Sequence, residues 1–197
     1  MKEKMHYTME VPEIQQVEQE LLRIRKRKKR RGKITAMTSA AVTAASVTVL
    51  VSVLLFPMFR VYGSSMNPTL HDGEIVISGK NSRFESGDLI AFTYNNKVLV
   101  KRLIANPGDW VEIQEDGTVL VNNVPLEEPY ISEKALGECD LEFPYQVPEN
   151  RYFVLGDHRE TAVDSRSADL GCVEKQQIEG KLLYRIWPLS KMGSLNR

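Results

Sequence analysis

Histidine and cysteine are scarce, three and two in 197 residues, and the scarcity removes several chemistries before any motif is read. Past residue 60 the histidines are His71 and His158 and the cysteines Cys139 and Cys172, with none of the close spacings that four-ligand zinc sites use. No metal and no cofactor is expected. No segment repeats at a fixed period, which argues against a propeller or solenoid. Acid is missing from Arg23 to Lys33, where "RIRKRKKRRGK" holds nine Lys or Arg. Charge of either sign is missing over the 26 residues from Ile34 to Phe59. Since the formal net charge is zero, the remainder of the chain is net acidic.

At about 1.5 Å per residue, the uncharged run covers the roughly 30 Å hydrocarbon layer of a membrane. It predicts a transmembrane helix over 34–59, with Pro57 marking the exit. The run contains seven Ser and Thr, whose hydroxyls can bond a carbonyl one turn back instead of standing unsatisfied in lipid. By the positive-inside rule the basic arm, 1–33, stays in the cytoplasm and 60–197 lies outside, giving a single-pass protein of the cell membrane. The same basic residues attract anionic lipid, so membrane lipid is the expected partner and nucleic acid is not. Upstream, Ile14, Val17, Leu21 and Leu22 stand near helical spacing, which predicts a short amphipathic helix on the inner leaflet. Cys139 and Cys172 fall in the outer part, where a disulfide is permitted, and their spacing does not decide whether one forms.

Beyond the run, short apolar stretches alternate with turn signals. "EIVIS", "DLIAFTY", "KVLVKRLIA", "WVEIQ", "TVLVNN", "RYFVLG" and "KLLYRIWPL" read as strands of a mostly β domain. Two hairpins are predicted, turning at Asn95-Asn96 and at Glu115-Asp116-Gly117. From about 125 to 148 the sequence is rich in Pro and acid and has no period, so it reads as an irregular excursion between sheet elements.

Three stretches could carry chemistry. "YGSSMNPTLHDGE", 62–74, offers Ser65 six residues past the apolar run, and a serine hydroxyl needs a base and oxyanion donors to act. His71 and His158 are candidate bases. Lys101 is another, because it sits in the apolar strand "VLVKRL", where alternation turns one of Lys101 and Arg102 inward and the other out. Bringing a lysine from about 10.4 to about 8 requires roughly 3 kcal/mol, within the reach of burial. A lysine paired with an acid at a strand edge is the plainer reading of that residue taken alone. "GDHRETAVDSRS", 156–167, crowds Asp157, Arg159, Glu160, Asp164 and Arg166 after a strand, either as a solvated turn or as ion pairs that brace a site.

Taken together these stretches resemble the type I signal peptidases, membrane-anchored Ser-Lys proteases that remove signal peptides from exported proteins. "GSSMNPTL" resembles the family's nucleophile box, "VLVKRLIANPGDWVEI" its base box, and "VLGDHRETAVDSRS" its Gly-Asp-x-Arg to Asp-Ser-Arg box. "EGKLLYRIWPL" resembles its closing segment, so the likeness runs from Ile34 to about Leu189. The resemblance implies a β domain of the signal-peptidase type and Ser65 as nucleophile, with Lys101 as general base. It implies Asp157, Arg159, Asp164 and Arg166 as supports. Gly63, Ser64, Met66, Pro68, Leu99 and Val100 would lie along a bound signal peptide, with small residues one and three before the cut.

Two positions depart from many members. Gly63 replaces a serine that helps bind the oxyanion, as in Gram-positive relatives, leaving backbone donors such as the Ser65 N–H. Ala162 replaces a serine that orients the lysine, a part that Thr161 or a backbone carbonyl could take. The competing readings are an anchored β domain that binds a surface partner, and a Ser-Lys peptidase dedicated to a few substrates or to itself.

Overall fold

In a computed structural model of the protein, residues 14–80 and 83–195 are described. A single helix, α1, runs Ile14–Leu55. It is longer than the sequence suggested at its N-terminal side and shorter at the other. It stops before Pro57, which has no N–H to give and disfavours helical geometry in the residue ahead of it. Met58 and Phe59, expected within the apolar helix, instead open strand β1, Met58–Arg60. The hydroxyls of Thr35, Thr38, Ser39, Thr43, Ser46 and Thr48 each donate to a carbonyl three or four residues back. The window within Val17–Leu55 is apolar and long enough to cross a membrane.

Contacts divide the chain into two compact units, 1–51 and 52–197. The second is built of strands: β1 Met58–Arg60, β2 Ile75–Gly79, β3 Leu89–Tyr94, β4 Lys97–Ala105, β5 Trp110–Ile113, β6 Val119–Val121, β7 Val124–Pro125, β8 Tyr145–Gln146, β9 Arg151–Leu155, β10 Val173–Glu174, β11 Ile178–Trp187 and β12 Gly193–Ser194. The larger sheet has the order β1-β2-β11-β3-β4-β9-β10, with β12 also on β11, and the smaller has β7-β6-β5-β8. The pairs between these strands are antiparallel.

Both predicted hairpins form. Asn95 and Asn96 take φ of 46° and 61° between β3 and β4, the paired left-handed conformation that a two-residue turn needs and that Asn tolerates. In the other, Gln114 N–H donates to Thr118 O at 2.9 Å. Gly117 lies under the backbone of Ala135, which a Cβ would meet at 2.3 Å.

The larger sheet is covered on both faces, because successive residues of β3 enter different clusters. Leu89 and Ala91 pack with Val61, Met66, Leu70 and Leu182, while Ile90 and Phe92 pack with Leu103, Tyr152 and Val154. A third cluster, including Ile104, Val111, Val119 and Phe153, joins residues of both sheets. Cys172 lies in that cluster. Both cysteines are free thiols, Cys172 contacting the Tyr145 hydroxyl at 3.8 Å and Cys139 the Leu141 carbonyl at 3.8 Å.

Candidate active site

Lys101 and Arg102 are neighbours on β4, and strand geometry sends their side chains to opposite faces. The expectation that one of them reaches solvent is wrong: they are 4% and 6% exposed. The reason is the double covering of the sheet. Arg102 is closed over by Tyr130, whose ring lies 3.7 Å from the guanidinium carbon, and it donates to the Gly87 carbonyl at 2.8 Å. Lys101 is closed in by the turn that follows β9 and by the loop that carries Ser65.

Gly156 is where those pieces meet. A Cβ placed on it would stand 2.3 Å from Ala162 Cβ, 2.7 Å from the Ser65 carbonyl oxygen and 3.4 Å from Lys101 Nζ. The three groups therefore lie within about 6 Å of one another, and no other residue type leaves them there. The same Ser65 carbonyl accepts the His158 N–H at 3.1 Å, tying the loop to the turn. Ser65 is half-buried, Ser64 and Pro68 are exposed, and Met66 is buried among Leu70 and Val76. Gly63 takes φ of 83° in open space, and its N–H donates to Asp72 Oδ1 at 2.8 Å. A serine there would be strained by the backbone angle, not by crowding.

Burial holds Lys101 well below its ordinary value of 10.5, to about 8. Asp164 and Asp157 oppose the shift and Arg166 adds to it. The acids act only from a distance because arginines take them. Asp157 is paired by Arg102, Nε to Oδ1 at 2.8 Å and Nη2 to Oδ2 at 2.6 Å. Asp164 is paired by Arg166, Nε to Oδ1 and Nη2 to Oδ2 both at 2.8 Å. Among the described residues Lys101 makes no ion pair.

The four expected support residues are all buried, so the solvated-turn reading of 156–167 fails. Asp164 and Arg166 pair with each other, but the other two find partners far off in the sequence. Asp157 pairs with Arg102, and Arg159 reaches Glu128, Nη1 to Oε2 at 3.2 Å, while its Nε donates to the Gly156 carbonyl at 3.0 Å. Asp164 Oδ2 also accepts the Gly156 N–H at 2.9 Å, which fixes the turn beside Lys101.

The irregular excursion is more than a connection. Glu128 accepts from Arg159 and from the Tyr130 hydroxyl, the latter at 2.9 Å, and the Leu136 carbonyl accepts from Arg166. These caps were not legible in the stretch 125–148, since nothing local says which distant arginine each group meets. Thr69 and Arg185 were missed for the same reason. Thr69 Oγ1 donates to Asp157 Oδ2 at 2.5 Å, and Arg185 donates to the Thr69 carbonyl at 3.2 Å and to Glu74 Oε2 at 2.7 Å.

The histidines are engaged elsewhere. His71 Nδ1 lies 3.7 Å from Glu74 Oε1, and His158 Nδ1 shares a 2.5 Å hydrogen bond with Thr161 Oγ1. Thr161 is thus turned to His158, not to Lys101. The Ala162 carbonyl accepts from Arg166 at 3.3 Å.

One more feature concerns backbone, not side chains. β4 pairs with β3 from Lys97 to Arg102, facing Tyr94 to Leu89. On its other side β9 begins to pair only at Arg102, opposite Leu155. The edge from Lys97 to Lys101, which includes Leu99 and Val100, is unpaired by any strand among the described residues.

The family model described as signal peptidase, peptidase S26, matches residues 34–187. A signal peptidase I of Bacillus licheniformis is 36% identical over 166 residues, spanning 78% of this chain and 88% of that protein. The signal peptidase I S of Bacillus subtilis is 32% identical over 175 residues, spanning 83% and 94%. A crystal structure of a signal peptidase I from Enterococcus faecalis is 33% identical, covering 51% of this chain and 97% of its own, with a TM-score of 0.42.

Proposed function

This chain belongs to the signal peptidase family, peptidase S26, and from that footing we propose that it removes signal peptides from exported preproteins through Ser65 and Lys101. The observation that carries the assignment is a lysine buried to an acidity of about 8 beside the segment that bears Ser65. Near neutral pH an appreciable fraction of such a lysine is unprotonated, as a general base must be.

In the proposed mechanism neutral Lys101 takes the Ser65 hydroxyl proton as the oxygen attacks the scissile carbonyl. The resulting ammonium gives that proton to the leaving amine, and the lysine, neutral again, activates the water that hydrolyses the acyl-enzyme. The oxyanion falls to backbone donors. Among the described residues the Ser65 N–H donates to no internal acceptor, which supports its assignment to that part. Asp157, Arg159, Asp164 and Arg166 act as supports by pairing among themselves and with Arg102 and Glu128, which denies Lys101 a close carboxylate.

The unpaired edge of β4 favours substrate binding by strand addition, with the signal peptide extended between Val98–Lys101 and Gly63–Ser65. Alternate residues of an added strand face the same surface, so small side chains one and three before the cut suit this arrangement. Ser64, Pro68, Leu99 and Val100 are the residues we assign to that contact, with Met66, buried beneath the loop, holding its shape. The basic segment up to residue 33 is assigned to the cytoplasm, the apolar part of α1 to the bilayer, and the β domain to the outer face.

The test is cleavage of a preprotein in detergent by the full chain and by Ser65→Ala and Lys101→Ala. Both variants are expected to lose turnover; near-normal cleavage by either would refute the assignment.

A further inference from the structure

Just beyond the loop that carries Ser65 the surface sinks into a groove whose lining includes Asn67, His71, Glu133, His158 and Glu160. Its near end is tied to the nucleophile segment. Asn67 N–H donates to Ser64 O at 2.9 Å, and His158 N–H to Ser65 O at 3.1 Å. Asn67, one of the lining residues, keeps its Oδ1 buried beneath the surface and without a hydrogen-bond partner among the described residues.

The fixed charge in the groove is one-sided. Asp157 and Arg159 line it too, but they are spent on Arg102 and Glu128. His71 is turned toward Glu74 and His158 toward Thr161. No lysine is among the lining residues. Glu133 and Glu160, both exposed, are left as carboxylates without an ion pair among the described residues.

We infer that this groove takes the first residues after the scissile bond, and that Glu133 and Glu160 make it favour Lys or Arg there and reject Asp or Glu. The inference rests on the Ser65 and Lys101 reading. With the signal peptide along the open edge of β4 and ahead of Ser65, the chain beyond the attacked carbonyl continues past Asn67 and His158 into the groove. Like charges held close in a partly covered site repel, and opposite charges attract, by amounts that salt screens.

The experiment uses one preprotein in two versions, with Asp-Asp or Lys-Lys at the second and third positions after the cut, cleaved by the full chain in detergent. The kcat/KM ratio of Lys-Lys over Asp-Asp is expected to be about fivefold to tenfold at low salt for the unaltered protein. It should fall to about twofold or less in Glu133→Gln/Glu160→Gln, and likewise in about 1 M salt. The ratio is internal to each protein, so a general loss of activity cancels. A ratio near one in the unaltered protein, or the same ratio in the double variant, would overturn the inference. Ser65→Ala is run alongside: retained cleavage there would defeat the catalytic reading, whereas its loss together with a flat charge ratio defeats only the groove.

Discussion

The guanidinium of Arg102 and the carboxylate of Asp157 meet in a two-point contact at 2.8 and 2.6 Å, on a strand whose preceding residue is Lys101. A carboxylate left unpaired in such a place would draw the neighbouring ammonium and keep it protonated. With Asp157 held by Arg102 and Asp164 held by Arg166, Lys101 feels mainly its own desolvation. The arginines thus do two things at once: they neutralise the acids and they brace the turn around Gly156.

Activity is expected to rise with pH through an apparent value of about 8, the value to which burial brings Lys101. A flat kcat/KM profile from about pH 6 to 10 would be inconsistent with a lysine base. Stability carries the same signature with a definite sign. Because the folded value lies below the ordinary 10.5, the unfolded chain binds more protons between about 8 and 10.5, so stability rises with pH in that window. Lys101→Met lacks the buried charge and should be the more stable protein below about pH 8, by up to about 3 kcal/mol. The gain should vanish toward pH 10.5. Denaturant unfolding of the two proteins across this range is the measurement.

Arg102→Lys keeps the charge but loses the fork that meets both oxygens of Asp157, the bond to Gly87 O and the contact with Tyr130. A point charge on a flexible stem replaces little of this, so a loss of roughly 2 kcal/mol in unfolding free energy is expected. Turnover should fall with it. Unchanged stability would mean that the pair contributes nothing net.

Asp164→Asn should have two separable effects. It strands the buried Arg166 without its counter-charge, which costs about 3–5 kcal/mol. It also removes the first of the influences that raise the Lys101 value. The acid limb of the activity profile should therefore move to lower pH in whatever fraction of the variant folds. A shift to higher pH would contradict the electrostatic account.

Gly156→Ala places a methyl 2.3 Å from Ala162 Cβ and 2.7 Å from the Ser65 carbonyl oxygen. Backbone cannot retreat as a long side chain does, so the Ser65 segment or the turn must move. Overpacking of this kind costs about 1–3 kcal/mol. Cleavage should drop by about a hundredfold or more, as displacements near 1 Å at a reacting centre do. Thermal unfolding and kcat measured on the same preparation test whether the activity loss exceeds the folding loss. Cleavage close to that of the unaltered protein would show that the contact is not critical.

Much of the fold was readable in the chain. The seven apolar stretches from "EIVIS" to "KLLYRIWPL" fall within or across β2, β3, β4, β5, β6, β9 and β11, because alternation and Asn or Gly turns are local properties. β1 was hidden inside the apolar run, since Met58 and Phe59 suit a membrane helix and a strand equally. The short strands β7, β8, β10 and β12 have no pattern of their own and exist only where a longer neighbour offers hydrogen bonds.

The sequence by itself determined the order of the parts: a basic segment, an apolar helix closed by proline, and a β domain holding the Ser65 loop, the strand with Lys101 and the charged stretch 156–167. Spacing and composition carry that information along the chain. Only the tertiary structure decided that both Lys101 and Arg102 are buried, that Asp157 answers to Arg102 and Arg159 to Glu128, and that Gly156 is the point on which Ser65, Lys101 and Ala162 converge. Desolvation and ion pairing depend on what distant segments bring to a residue, and no local pattern records them.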